Sequence, residues 1–190
     1  ILARDDVSED AIYALTADIF DNAPDLISSH AKYGELSLEY GASITSVPYH
    51  PGAAKYFSEK GFEVAAVKDG AGETDSRNLR FVTGGESGTY YAFGSVIAQH
   101  ATNNTDVSVT GLVGNGSKSN VEELADGNAE LAFCQSDVMA YAYNGTRFRI
   151  RTADVRHVHT SGFLTMVIRH SVHLPVNCLS KLWPTSWQST

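Results

Sequence analysis

Residues 79–99, LRFVTGGESGTYYAFGSVIAQ, decide how the rest of the chain is read. Leu79, Phe81 and Val82 make a short apolar strand; Gly84, Gly85 and Gly88 form a turn; Tyr91, Phe93, Val96 and Ile97 then recur at helical spacing. The first turn of a helix leaves its N–H groups unpaired, so a strand, a glycine turn and a helix start together form a corner that receives anions. Ser87, Thr89 and Tyr90 bring hydroxyls to the same point. The corner lacks the lysine of a P-loop and the GxGxxG of a dinucleotide fold. A tight turn without a guest is the competing reading.

Downstream of the corner the pattern repeats. Residues 107–113 alternate as a strand, Asn115-Gly116-Ser117 turns the chain into a helix containing Val121 and Leu124, and Gly127 ends it. Residues 130–135, ELAFCQ, read as a short buried strand, and Ser136-Asp137 as the cap of a helix running to Asn144-Gly145. The order β-α-β-α-β-α predicts an α/β fold with a mostly parallel sheet flanked by helices. Ligands of such sheets sit beyond the carboxyl ends of the strands. Those ends are residues 83–88, 114–117 and 135–137, three separate segments converging on one edge.

Upstream, residues 4–21 read as one helix capped by Asp6 with Glu9, with Ile12, Leu15, Ile19 and Phe20 as its core stripe. Asn22-Ala-Pro24 stops it, a weaker helix runs over 24–31, and residues 38–42 are open between helix end and strand. Pro51 is placed to begin a helix over 51–60, with Tyr56 and Phe57 inward and Gly61 at its end. His50, between Pro48 and Pro51, is either a ligand contact or a capping and packing residue. The hydrophilic run KDGAGETDSRN makes residues 63–78 the best candidate linker, and residues 147–190 have no clear period.

Composition narrows the function classes. A net charge of -8 with no basic stripe argues against nucleic acid, so an anion would need donors focused in a pocket. No apolar run reaches membrane-spanning length, and the start at Ile1 reads as a mature or excised product. Cys134, inside an apolar run, reads as a buried thiol; Cys134 and Cys178 lack metal-ligand spacing. His157, His159, His170 and His173 have no accompanying carboxylate, so neither a metal nor another cofactor is expected. Cys134, His50 and Ser136 form a Cys-His or Ser-His pair only if the fold is assumed, and the expectation is that the chain is not an enzyme.

The segments VTGGESGTYYAFGSVIAQ (82–99), NVEELADGNAELAFCQSDVMAYAYNGT (120–146), SEDAIYALTADIF (8–20) and PYHPGAAKYFSEKGF (48–62) resemble the TAXI family of extracytoplasmic solute receptors of TRAP transporters. The resemblance implies one lobe of a periplasmic-binding-protein type II-like fold. It also implies a periplasmic or cell-surface protein, membrane-associated through its transporter, that hands a small organic acid or amino acid (a glutamate- or glutamine-like compound or a dicarboxylate) to TRAP membrane permease subunits. It places Gly85, Ser87, Gly88, Thr89 and Tyr90 around the ligand, Gln135, Ser136 and Asp137 at the neighbouring strand end, and His50 in a His-Pro-Gly segment. Glu86 stands where a small residue is more usual. The order is permuted: residues 1–62 resemble the C-terminal portion of the receptor lobe and 79–146 its N-terminal portion. Circular permutation, a junction of neighbouring receptor copies and a truncated or frameshifted frame are the alternatives. The second lobe is missing or reduced to the tail, so a non-binding remnant is the other functional reading. Pairing with another copy would cover an open apolar lobe face.

Overall fold

The computed structural model describes residues 1–66 and 77–144, and the backbone of 158–160. Its centre is a five-stranded sheet in the order β3-β2-β4-β1-β5, formed by β1 (Leu2–Arg4), β2 (Asn78–Val82), β3 (Ser108–Leu112), β4 (Leu131–Ala132) and β5 (Val158–Thr160). β2 pairs in parallel with β3 and β4, while β1 lies antiparallel between β4 and β5. Four strands therefore run one way and β1 runs against them. The predicted α/β class and mostly parallel sheet are what the chain adopts.

The sheet has a layer on each face. α1 (Glu9–Asp21) and α5 (Thr89–Asn104) cover one; α6 (Ser117–Ala125) and α7 (Ser136–Tyr143) cover the other. Successive strand residues divide accordingly. Leu79, Phe81, Leu131 and Phe133 join Ile12, Ile19, Phe93 and Ile97, whereas Val82, Ala132 and Cys134 join Val121, Leu124 and Met139. β3 and β4 flank β2, so the chain leaves β2 to one side and returns to the other. The strand order reverses at β2, and this switch point is where sheets of this kind open a crevice.

The amino-terminal segment belongs to the same core. Ile1, Ala3 and Val7 pack with Phe81, Ile97 and Phe133. The predicted helix over 4–21 is corrected here: it begins at Glu9, its cap is Ser8, whose hydroxyl accepts from the Ala11 N–H at 3.3 Å, and Leu2–Arg4 is a strand. Asp6 does not cap; its carboxylate pairs with Arg4. β1 forms because β4 offers it a ladder, which no local pattern announces.

α2 (Ala23–Ser29) follows with Pro24 in its first turn, then a short 3-10 turn (Ala31–Glu35) and α3 (Leu38–Gly41), which settles residues 38–42 as a helix. α4 (Pro51–Glu59) packs across α1 and contributes Tyr56 and Phe57 to an aromatic cluster with Tyr49 and Phe20. Of the predicted linker, Ala66 forms a bridge with Tyr49 and Asn78 begins β2, while residues 67–76 lie outside the described residues. Cys178, His157, His170 and His173 also lie outside them. No helix among the described residues is long and apolar enough to cross a membrane.

Candidate functional site

The three segments expected at one edge do meet there. Tyr90, in the first turn of α5, packs its ring on Phe133 with centroids 5.0 Å apart and shares a hydrogen bond with Ser117, the first residue of α6. The Ser117 hydroxyl in turn accepts from the Gln135 N–H at 3.0 Å, at the entry to α7. Burial pushes the Tyr90 phenol above its ordinary range, the Ser117 hydrogen bond pulls it back, and the nearby Cys134 and Asp137 push it up again. The phenol is therefore a neutral hydrogen-bonding group at neutral pH.

The starts of these helices share a second property. α5, α6 and α7 are preceded by Gly88, Gly116 and Gln135, and none receives a side-chain cap. Of the other helices, α1, α3 and α4 are capped by Ser8, Ser37 and His50, while α2 is also without a side-chain cap. Gly116 has φ +98°, a left-handed backbone that favours glycine and leaves no side chain to cap α6. Three helix starts without an N-cap side chain thus lie around one strand edge, although at α7 the Asp137 carboxylate already takes the Val138 N–H.

The strands separate at this edge because α6 takes over their hydrogen bonds. The β2–β4 ladder ends with the Phe133 N–H donating to the Val82 carbonyl at 3.0 Å. Beyond it, Asn120 Nδ2 donates to the Thr83 carbonyl at 2.6 Å and the Phe133 carbonyl at 2.8 Å. Asn120 is fully buried, and its Oδ1 has no hydrogen-bond partner among the described residues. An unmet buried acceptor costs about 1–3 kcal/mol. This is why the predicted strand over 130–135 shrinks to Leu131–Ala132.

Gly85, Ser87 and Thr89 are exposed at the corner and Gly88 and Tyr90 half-buried; the Gly88 N–H donates to the Gly85 carbonyl at 2.7 Å, closing the turn. Gln135 and Asp137 are exposed and Ser136 half-buried at the neighbouring strand end. The cap of α7 is Gln135, not the expected Ser136-Asp137 pair, and the Asp137 carboxylate accepts from the Val138 N–H. Glu86 is exposed beside the corner.

His50 is elsewhere. It is fully buried where α4 meets α1, with Nδ1 accepting from the Gly52 N–H at 3.2 Å and Nε2 donating to the Val7 carbonyl at 3.0 Å. Both ring nitrogens are engaged with backbone, so the structure places His50 as a cap and not with the corner residues.

Cys134 is buried and has no disulfide partner among the described residues, and its thiol is pushed up to about 12 chiefly by burial. It is not a nucleophile at neutral pH. Ser117, read from the sequence only as the end of the converging 114–117 segment, belongs to the site, as does Asn120, which the sequence reading does not single out. Their i, i+3 spacing at the start of a helix was visible, but that two strands would surrender hydrogen bonds to them was not.

Comparison with known families matches residues 1–61 and 81–163 to the NMT1-like family. The chain belongs to the NMT1-like family. That is a family of periplasmic-binding-protein type, whose members bind solutes, and the architecture of this NMT1-like chain is that of a partial lobe of such a protein. No solved structure matches the chain.

Proposed function

We propose that this NMT1-like chain is the extracytoplasmic solute-binding component of a TRAP-type transporter of the TAXI class. Its ligand would be a small carboxylate or acidic amino acid of glutamate or glutamine type, held without chemical change at the corner of residues 85–90 and the strand end of 135–137. The observation that carries this reading is the set of three uncapped helix starts around the switch point. A carboxylate laid there would supply the caps that the side chains do not. The Ser87, Thr89 and Tyr90 hydroxyls would orient it, and the exposed Glu86 would favour a ligand that also carries an ammonium group. The inert thiol of Cys134 supports binding over catalysis. Under this reading the protein works outside the cytoplasm, and its macromolecular partner is the membrane permease.

The exposure of Gly85, Glu86, Ser87, Thr89, Gln135 and Asp137 favours a second reading, half of a site on a non-binding remnant. A closed site buries most of its ligand, and one lobe with an open edge does not. A second copy of the chain facing this edge would restore the enclosure. Calorimetric titration with glutamate, glutamine and four- to five-carbon dicarboxylates separates the readings. Saturable heat, with the titrated compound recovered unchanged, is the expected result. No heat from any of them, with no compound co-purifying, would leave the remnant.

A further inference from the structure

Asn120 occupies the point at which the sheet comes apart. A regular continuation of the ladder would give the Phe133 carbonyl the Gly84 N–H, and the Thr83 carbonyl the Gly114 N–H. Neither bond forms. The Gly114 N–H goes to the Gly84 carbonyl at 3.0 Å, and both orphaned carbonyls accept from Asn120 Nδ2. The Gly84 N–H has no acceptor among the described residues. One buried amide thus replaces a rung on each side of β2.

The tolerated cost of that amide is informative. Its Oδ1 is buried, unpartnered among the described residues, and lies against Gly114: a Cβ built on Gly114 would lie 2.4 Å from that oxygen. If the side chain served only to satisfy carbonyls, continued pairing of the backbone would do so with no orphan left. What the amide accomplishes, and a continued ladder would not, is to keep β2 and β4 parted beyond Val82 and Phe133. Ser117, one turn earlier on α6, acts in the same sense by holding the Gln135 N–H.

We propose that Asn120 is a positioning residue of the solute site. It wedges the ends of β2 and β4 apart, so that the N–H of the buried Gly84 is left without a sheet acceptor and, with the start of α5, is available to a carboxylate. This rests on the solute-binding reading for its purpose, while the wedge itself is a property of the unliganded chain. The two are separable by experiment.

Backbone amide hydrogen exchange, resolved by residue on the full chain, tests the wedge without a ligand. In wild type the Gly84 amide exchanges at least 10-fold faster than that of Phe133. In Asn120→Ala the strand ends zip, and Gly84 slows by at least 10-fold although the protein as a whole is less stable. A merely structural asparagine would make every amide faster, Gly84 included, and that result, or an unchanged Gly84, overturns the proposal. Asn120→Ser is the second variant, since its hydroxyl is too short to reach both carbonyls; it is expected to slow Gly84 in the same way, and serves if Asn120→Ala does not fold. Titration of both proteins with L-glutamate adds the functional arm. If wild type binds, Asn120→Ala binds at least 10-fold more weakly, and equal affinity refutes the positioning role. If wild type shows no binding while Gly84 slows in the variant, the solute reading fails and the wedge stands.

Discussion

Gly94 is where the fold and the corner are mechanically joined, and replacing it by alanine tests that joint. α5 lies so close to the sheet that a Cβ on Gly94 would sit 2.2 Å from Thr83 Cγ2, 3.0 Å from Thr83 Cβ and 3.1 Å from Phe133 Cε2. Ordinary contact begins near 3.4 Å, so helix and sheet must part by about 1.2 Å. Neither neighbour can step aside. Thr83 is β-branched and donates its hydroxyl to the Leu112 carbonyl at 2.8 Å, and Phe133 is held between Phe81 and Tyr90. Overpacking of this kind costs about 1–3 kcal/mol. Alanine's better helix propensity returns about 0.5–1 kcal/mol. Gly94→Ala should therefore be less stable by roughly 1–2 kcal/mol, read as a lower urea midpoint with an unchanged slope. Because α5 carries the corner on its first turn, the same displacement should weaken solute binding. Gly111→Ala is the control, since its nearest neighbour would be Ser95 Oγ at 4.0 Å, and it should be as stable as wild type or more stable by up to about 1 kcal/mol. A Gly94→Ala protein as stable as wild type, or more so, would refute the close approach of α5 to β2.

His50→Ala removes the cap of α4 and leaves the buried Val7 carbonyl without its donor, so a loss of about 2–4 kcal/mol is expected in thermal or urea unfolding. Burial pushes the Glu130 carboxyl up, but hydrogen bonds from the Arg80 side chain and backbone, with the charges of Arg80 and Arg4, hold it below 4.5. A depressed carboxylate stabilises above its unfolded value and loses that contribution as pH falls through the folded one. Glu130→Gln should thus be less stable than wild type at pH 7, with the gap closing below pH 4.5 in pH-dependent unfolding. Tyr33→Phe deletes a buried hydrogen bond to the Phe93 carbonyl at 2.8 Å and should lower stability by about 1–2 kcal/mol with its ring stack on Phe93 retained. Cys134 should resist a thiol-specific reagent in the native protein at pH 8 and react in urea, read by peptide mapping.

How much was legible from residues follows from whether the signal was local. The strand–turn–helix units from Leu79 onward announced themselves, because hydrophobic periodicity and glycine punctuation act within a dozen residues. Their convergence followed from a topological rule and not from any single motif. β1 was unreadable in advance: three residues beside an acidic helix start carry no period, and only pairing with β4 and β5 makes them a strand. His50 was read with both its possible roles open, and the buried fit between Val7 and Gly52 settled where it sits. Asn120 escaped notice for the opposite reason. On a helix beginning SKSNVEEL it looks like one more polar residue, and its importance lies in bonds to two carbonyls 37 and 13 residues away.

The central claim is that a small carboxylate is held at the edge where α5, α6 and α7 begin. Residue-resolved amide NMR during titration with sodium L-glutamate addresses it most directly, with sodium chloride at matched ionic strength as the reference. Saturable shifts concentrated at Gly84, Gly85, Ser87, Thr89, Tyr90 and Gln135, fitted by one dissociation constant, are the expected result. Shifts no larger than those in sodium chloride, or saturable shifts centred on other residues, would contradict it.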